Sequence, residues 1–261
     1  MKILSWDEFV GAPFEDRPLA ATVGVFDGLH RGHVALVDRV LASAGTHAAV
    51  FTFRENPKRS LRPRAYHGDL FSLEQKLETL ERLGVEICVL IDFSGDFSKL
   101  AGRIFLSFLA ERGGLRLIVL GSDFRCGHRL DTGVAEIRAY YAPLGIRTEV
   151  LEPVLWGGHP ISSSRIRKAV VEGRIDEASA MLGRPYELDL RRAECVAPGC
   201  LRLELDGLQV FPPSGRYDSI VVGDGWELRA QASCAGGIWT VEVPDGSRPE
   251  ALRLVELVSR E

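Results

Sequence analysis

The sequence predicts an α/β fold with a parallel sheet, followed by a small all-β domain. Apolar runs alternate with helix-like segments five times, and runs such as residues 117–120 contain only apolar side chains, as expected for strands buried on both faces. After Tyr186 the pattern changes to short β-rich segments separated by Pro and Gly. We therefore expect two domains, residues 1–186 and residues 187–261.

Hydrophobic periodicity and capping residues place the individual elements. Ser72 precedes an acidic first turn and Gly84 follows the last residues of the same segment, which is the pattern of a capped helix. The predicted strands of the first domain are residues 19–25, 47–53, 85–91, 115–120 and 146–151. The other predicted helices are residues 34–44, 99–112, 134–141 and 176–182, with one more beginning near Ser163. The predicted strands of the second domain are residues 193–196, 201–205, 217–222, 227–231 and 238–243.

Charge and composition exclude several classes of protein. The chain has 261 residues and a formal net charge of −4, which argues against a general nucleic-acid-binding protein. The first eight residues include acidic side chains where a secretory signal would be apolar, and no apolar run approaches a membrane span, so we expect a cytoplasmic protein. Five cysteines without a Cys-x-x-Cys pair indicate reduced thiols.

A glycine-rich turn with two histidines follows the first buried strand. It reads Gly24-Val25-Phe26-Asp27-Gly28-Leu29-His30-Arg31-Gly32-His33. Gly24, Gly28 and Gly32 remove Cβ atoms where the backbone bends tightly or approaches a ligand, and the positive end of the following helix attracts an anion. His30 and His33 can donate hydrogen bonds to phosphate oxygens. The turn therefore predicts a phosphate site.

Other interpretations of this turn stay open. Two histidines three residues apart could bind a metal ion, although no cluster of cysteines or carboxylates follows to complete a ligand set. The segment could also be only a turn between a strand and a helix. Asp27 either takes part in the site or only shapes the turn.

A second phosphate signal begins the helix near Ser163. The segment reads Ile161-Ser162-Ser163-Ser164-Arg165-Ile166-Arg167. Hydroxyls and backbone N–H groups at a helix start can hold phosphate oxygens, and an arginine adds a planar charged group. The alternative is a serine-capped helix with a solvated basic face. In a parallel sheet, we expect the loop at residues 156–164, which leads into this helix, to share one site with the loops at residues 26–32, 54–60 and 121–129.

The loop after the fourth strand of the first domain contains a possible acceptor site. It reads Gly121-Ser122-Asp123-Phe124-Arg125-Cys126-Gly127. Asp123 could orient a substrate hydroxyl or a magnesium-bound water, and Phe124 could pack on a ring. Alternatively, Asp123 caps a turn and Phe124 fills the core.

These three motifs, followed by Leu182-Gly183-Arg184-Pro185-Tyr186, resemble the prokaryotic bifunctional riboflavin kinase/FMN adenylyltransferase (FAD synthetase) family over residues 23–186. The first two also occur in the wider nucleotidylyltransferase superfamily, whereas the aromatic-containing loop is specific to the flavin family. The resemblance implies a Rossmann-like nucleotidyltransferase domain that transfers AMP from ATP to FMN. The products would be FAD and pyrophosphate, with Mg²⁺ accompanying ATP.

The resemblance also assigns site residues. It implies that the catalytic residues are His30, His33 and Arg165. It implies that ATP and its phosphates are bound by Gly24, Phe26, Gly28, Gly32, Ser163 and Ser164. It implies that FMN is bound by Phe53, Asn56, Asp123 and Phe124. It assigns no protein ligand of the metal ion.

The chain departs from the family pattern at several positions. The loop after the second strand reads Phe53-Arg54-Glu55-Asn56-Pro57, where the family usually has Phe-Asp-Pro-His-Pro. Cys126 stands where an aromatic residue is usual, and Ser164 replaces a threonine.

The riboflavin kinase motif Gly-Phe-Pro-Thr-Ala-Asn does not follow Tyr186. We therefore expect a degenerate, barrel-like β domain without kinase activity, and FMN rather than riboflavin as the acceptor. Two other functions stay open, namely nucleotidyl transfer to another phosphorylated small molecule and non-catalytic sensing of flavin or nucleotide. We expect neither nucleic acid nor a membrane as a partner.

Overall fold

The computed structural model describes residues 1–11, 17–93, 95–197, 200–204, 209–236, 238–244, 247 and 249–260. The chain divides into two compact units. The first comprises Met1–Pro63 and Lys76–Val154, and the second comprises Arg64–Gln75 and Leu155–Glu261. The second unit thus contains more of the chain than residues 187–261. Because a compact unit need not coincide with a functional domain, the boundary expected after residue 186 stays a prediction.

The elements up to residue 151 are β1 (Lys2–Ser5), α1 (Trp6–Gly11), β2 (Leu19–Val23), α2 (Arg31–Leu41), β3 (His47–Phe53), α3 (Pro57–Leu61), α4 (Leu73–Arg82), β4 (Ile87–Ile91), α5 (Gly102–Gly113), β5 (Leu117–Gly121), β6 (Arg125–Cys126), β7 (Thr132–Gly133), α6 (Val134–Tyr141) and β8 (Arg147–Leu151).

A six-stranded sheet with the order β1-β4-β3-β2-β5-β8 forms the first unit. All of its neighbouring strands are parallel, which confirms the predicted fold class. Every residue of β2 and β4 is buried, as strands covered on both faces require. The chain continues from β2 through β3 to β4, then returns to the other side of β2 for β5 and β8. Loops diverge at such a reversal and leave a crevice at the carboxyl ends of the strands.

Helix bounds agree with the prediction where capping decides them. α6 has the predicted bounds, and the Ser72 hydroxyl caps α4 by accepting from the Gln75 N–H group at 3.1 Å. The predicted start of α5 at residue 99 is wrong because Leu100 and Ala101 are extended. α2 begins three residues before the predicted start because His30 is its extended N-cap residue. No helix in the described part of the chain is long and apolar enough to cross a membrane.

The core of the first unit lies on both faces of the sheet. Neighbouring residues of β2 point to opposite faces, so Ala21 joins the larger hydrophobic cluster whereas Ala20 joins the smaller one. The larger cluster includes buried residues of α1, α5 and α6. Within it the Tyr141 hydroxyl donates to the Leu106 carbonyl oxygen at 3.0 Å, so its one polar group is satisfied. Both faces are therefore packed against helices.

The remaining elements are β9 (Leu155–Trp156), β10 (His159–Pro160), α7 (Ser163–Val171), α8 (Ile175–Leu182), β11 (Tyr186–Asp189), β12 (Glu194–Ala197), β13 (Cys200–Glu204), β14 (Gly215–Gly223), β15 (Trp226–Ala235), β16 (Ile238–Glu242) and β17 (Pro249–Arg260).

A seven-stranded antiparallel sheet, with the order β11-β17-β14-β15-β16-β13-β12, forms the β part of the second unit. It curls into a half-barrel, which confirms the predicted all-β, barrel-like domain. The predicted strand end at Leu205 lies outside the described residues. The sequence did not predict β11 and β17, although β17 pairs with both β11 and β14. Register shifts interrupt the pairing of β17 with β14, and such bulges remove the regular alternation from which strands are predicted.

Replacing Ile118 on β5 by alanine should lower the free energy of unfolding by about 2–5 kcal/mol, because it empties a fully packed core position. The Ile118 side chain is 0% exposed, whereas Ile104 on α5 is 47% exposed. Ile104→Ala is therefore the control, because it is the same substitution at a solvated position. Ile104→Ala should change the free energy by less than about 0.5 kcal/mol. Urea denaturation of both variants measures the difference, and equal losses would contradict the assignment of β5 to the core.

Candidate functional site

The segment of residues 24–33, here called the glycine-histidine turn, joins the carboxyl end of β2 to α2. Phe26 and Leu29 are fully buried and have φ values of 52° and 37°, in the left-handed region. This conformation costs a residue with a Cβ atom about 1–2 kcal/mol, so surrounding contacts must hold it. One of them comes from β3, where the Thr52 hydroxyl donates to the Val25 carbonyl oxygen at 3.0 Å.

The two histidines of the turn are stacked on each other. The ring centroids of His30 and His33 are 3.6 Å apart with an interplanar angle of 17°, and the Phe26 ring meets His33 edge-on at 5.1 Å. A Cβ atom on Gly32 would lie 3.2 Å from the His30 ring, and one on Gly24 would lie 3.2 Å from the Phe26 ring. These glycines leave the space that the rings occupy. α2 begins between the histidines, so both lie at its positive end, where an anion is stabilised.

A cavity of about 510 Å³ lies at the carboxyl edge of the same sheet. Its aromatic lining consists of Phe53, Phe93, Phe97, Phe105 and Phe124. Gly24 and Val25, at the start of the glycine-histidine turn, also line it. A volume of this order accommodates a small organic molecule, and aromatic walls favour a flat ring. The turn and the cavity are therefore parts of one site in the first unit.

The four residues predicted to bind the acceptor differ in position. Phe53 and Phe124 line the cavity. The Asn56 side chain instead caps α3 by accepting from the Lys58 N–H group at 3.1 Å, and this residue is only 6% exposed. Asp123 is exposed after the carboxyl end of β5. Among the described residues, no group of three or more His, Cys, Asp and Glu side chains is placed to hold a metal ion.

Sequence reasoning missed Lys76 of α4. Lys76 is 6% exposed, and its Nζ atom donates to the Phe53 carbonyl oxygen at 3.0 Å. The contact fixes the end of β3 where the Phe53 side chain enters the cavity. A signal was available, because Lys76 lies on the same helical face as Leu73, Leu77 and Leu80, and a lysine on an apolar face is unusual.

Cys126 forms part of the cavity wall. It is half-buried and is a free cysteine. Burial raises the pKa of the Cys126 thiol to about 12, so the thiol is protonated at neutral pH. The residue therefore presents a small, neutral side chain to the cavity.

The predicted serine motif begins α7 in the second unit. The Ser162 hydroxyl caps the helix by accepting from the Arg165 N–H group at 3.3 Å. Ser163 is half-buried and Ser164 is exposed in the first turn of the helix. The structure thus brings Ser163, Ser164 and Arg165 together, as it brings His30 and His33 together in the first unit. That the two groups share one ligand stays a prediction.

Arg165 has structural contacts that the sequence did not indicate. Its Nη1 atom donates to the carbonyl oxygens of Trp156, His159 and Pro160 at 2.9, 3.0 and 3.3 Å. Its guanidinium carbon lies 5.0 Å from the centroid of the Trp156 ring. These contacts join α7 to the β9–β10 hairpin. A catalytic role of Arg165 would therefore use the guanidinium in the orientation that the hairpin imposes.

Comparison with known proteins gives a family match over residues 13–165, to the family described as FAD synthetase. The chain is 29% identical over 170 residues to a bifunctional riboflavin kinase/FMN adenylyltransferase of Listeria monocytogenes, covering 63% of this chain and 53% of that protein. The corresponding Escherichia coli K12 protein is 26% identical over 226 residues, covering 85% of this chain and 67% of that protein. The chain thus matches about half of the Listeria protein.

A solved structure shares the fold. The crystal structure titled a macrolide-efflux protein from Streptococcus pneumoniae superposes with a TM-score of 0.83 and 24% sequence identity. The match covers 100% of this chain and 92% of that chain. At this identity the likeness establishes the fold alone.

Arg165→Lys should lower the free energy of unfolding by about 1–3 kcal/mol, because a lysine cannot reproduce the planar group that contacts three carbonyl oxygens and the Trp156 ring. Lys168→Met is the control, since its side chain is exposed and its ion pair with Glu172 spans 3.8 Å. Chemical denaturation and proteolysis of the hairpin report both effects. Unchanged stability of Arg165→Lys would contradict the structural role.

Proposed function

The chain belongs to the FAD synthetase family, and on that basis we propose that it is an FMN adenylyltransferase. The observation that carries the proposal is the aromatic cavity of about 510 Å³, whose lining includes Gly24 and Val25 of the glycine-histidine turn. A flat ring system with a phosphate needs an apolar, aromatic wall close to a phosphate-binding turn. The match over residues 13–165, which includes both features, supports this assignment.

In the proposed reaction, a phosphate oxygen of FMN attacks the α-phosphorus of ATP. A new bond forms between the FMN phosphate oxygen and the α-phosphorus. The bond between the α-phosphorus and the oxygen that bridges to the β-phosphate breaks, and pyrophosphate leaves. The FMN phosphate is already anionic, so the reaction needs alignment and charge neutralisation more than a general base. We assign the ATP phosphates to His30 and His33. The phosphate-binding roles of Ser163, Ser164 and Arg165 rest on the family resemblance alone.

The phosphates of ATP, rather than a carboxylate cage, would hold Mg²⁺. A carboxylate oxygen suits this ion, and the exposed Asp123 after the carboxyl end of β5 supports a position of the ion near it. The ion would supply charge neutralisation on the departing pyrophosphate. Asp123 would orient the acceptor or a metal-bound water.

FMN, rather than riboflavin, is the acceptor in this proposal. Residues 187–261 lack the Gly-Phe-Pro-Thr-Ala-Asn motif of a riboflavin kinase.

Incubation of the purified chain with Mg²⁺ and ATP should yield FAD from FMN and no FMN or FAD from riboflavin, measured by chromatography. His33→Ala should lower kcat by about 100-fold or more, because it removes a donor to the phosphates. The control is His47→Ala, since His47 begins β3 at the opposite edge of the sheet and contacts Glu86. Its kcat should equal that of the parent.

Three outcomes would change the proposal. A flavin product from riboflavin would show that the β domain is a kinase. Binding of FMN and ATP without any product would favour a sensor, and pyrophosphate release with another phosphorylated compound would favour a different acceptor.

FMN should protect Cys126 from iodoacetamide, because the thiol lines the proposed acceptor cavity. Burial raises the pKa of Cys126 to about 12, so its alkylation should be slow at pH 8 and accelerate as the pH rises towards that value. Peptide mass spectrometry follows each cysteine separately, and Cys200 is the control outside the cavity. An unchanged Cys126 rate at saturating FMN would place the flavin elsewhere.

A further inference from the structure

The rim of the cavity contains a strained segment, residues 127–130. Arg129 and Leu130 have φ values of 56° and 59°, next to Gly127 at 81°. This left-handed region is unfavourable for residues with a Cβ atom. All three residues line the cavity. The backbone is thus held in an unfavourable conformation at the position where a ligand would contact it.

Hydrogen bonds hold this segment in place. Arg125 Nε donates to the Leu130 carbonyl oxygen at 2.9 Å, and the His128 N–H group donates to the Leu100 carbonyl oxygen at 2.9 Å. His128 Nδ1 donates to the Ser98 carbonyl oxygen at 3.0 Å. Strained residues persist where the surroundings fix them in this way, and they are concentrated at ligand sites.

The charges at the rim are positive. Of the described residues that line the cavity, only Arg125 and Arg129 carry a formal charge. Arg125 has a carboxylate beside it, since its Nη1 atom and Glu136 Oε2 each lie 3.1 Å from the point where a Cβ of Gly133 would be. Arg129 is exposed, and no carboxylate in the described part of the chain forms an ion pair with it. The rim therefore favours an anion at Arg129.

We propose that Arg129 binds the phosphate of the flavin acceptor and makes the cavity prefer a phosphorylated flavin to an unphosphorylated one. This inference rests on the proposed function. The apolar walls contact the ring system, which both flavins share, so they cannot discriminate between them. A guanidinium group can form two parallel hydrogen bonds to a phosphate, and the left-handed backbone fixes where this group leaves the loop.

The test is equilibrium binding of FMN and of riboflavin to the full chain in the absence of ATP. Quenching of flavin fluorescence measures the binding. Arg129→Met should weaken FMN binding about 10- to 100-fold, the range for a lost charge-assisted hydrogen bond. Riboflavin affinity should change less than about threefold. Lys99→Met is the matched control, because Lys99 is an exposed cation in the neighbouring turn and does not line the cavity. It should change neither affinity.

Arg129→Gly separates binding from folding. Glycine adopts the left-handed conformation without strain, so the variant should keep or raise Tm while it loses FMN affinity to the same extent as Arg129→Met. Equal effects of Arg129→Met on FMN and riboflavin, or no effect on either, would overturn the inference. FAD formation by the parent chain is measured separately. The adenylyltransferase proposal can therefore stand when the Arg129 inference fails. Conversely, a parent chain that forms no FAD would contradict the adenylyltransferase proposal, whatever the ratio of the two flavin affinities.

Discussion

The carboxyl end of β2 is the structural feature on which the candidate site in the first unit depends. β2 is buried along its whole length, so packing on both faces fixes its position, and the strand order reverses between it and β5. The loops after β2 and β5 therefore leave the sheet in different directions. Their divergence provides room for the stacked imidazoles and for the aromatic cavity, and the bond from Thr52 to Val25 holds the turn to the neighbouring strand.

The cavity and the glycine-histidine turn suit the two parts of one type of substrate, namely a flat ring and a phosphate. The cavity can remove a flat ring from water, whereas the turn presents glycine backbone and imidazole groups at the positive end of α2. Neither half requires a side chain with a pKa adjusted for proton removal. Transfer between phosphates depends on alignment and on neutralising charge, which rigid placement of these groups can provide.

Local signals made part of the structure predictable. The glycine-histidine turn, the Ser72 cap, α6 and Phe124 were identified from residues close together in sequence, and the family resemblance added Phe53. The contacts of Lys76 and Arg165 show why the rest was not predictable. Lys76 contacts a carbonyl group 23 residues away, and the contacts of Arg165 exist only after the β9–β10 hairpin has formed. β17 was missed for a related reason, because its bulges are defined by its pairing with β14.

Backbone strain in the described chain is concentrated in two loops. The non-glycine residues with positive φ are Phe26 and Leu29 after β2, and Arg129 and Leu130 after β5. β2 and β5 are the neighbouring strands at which the order reverses. Stability alone would favour glycine at such positions, since the left-handed conformation costs about 1–2 kcal/mol per residue. The fold retains larger side chains there because they form the turn and the cavity rim. Local preference contradicts the observed backbone at these four residues, so their left-handed conformation could not be predicted from local sequence patterns, although the turn that contains Phe26 and Leu29 was.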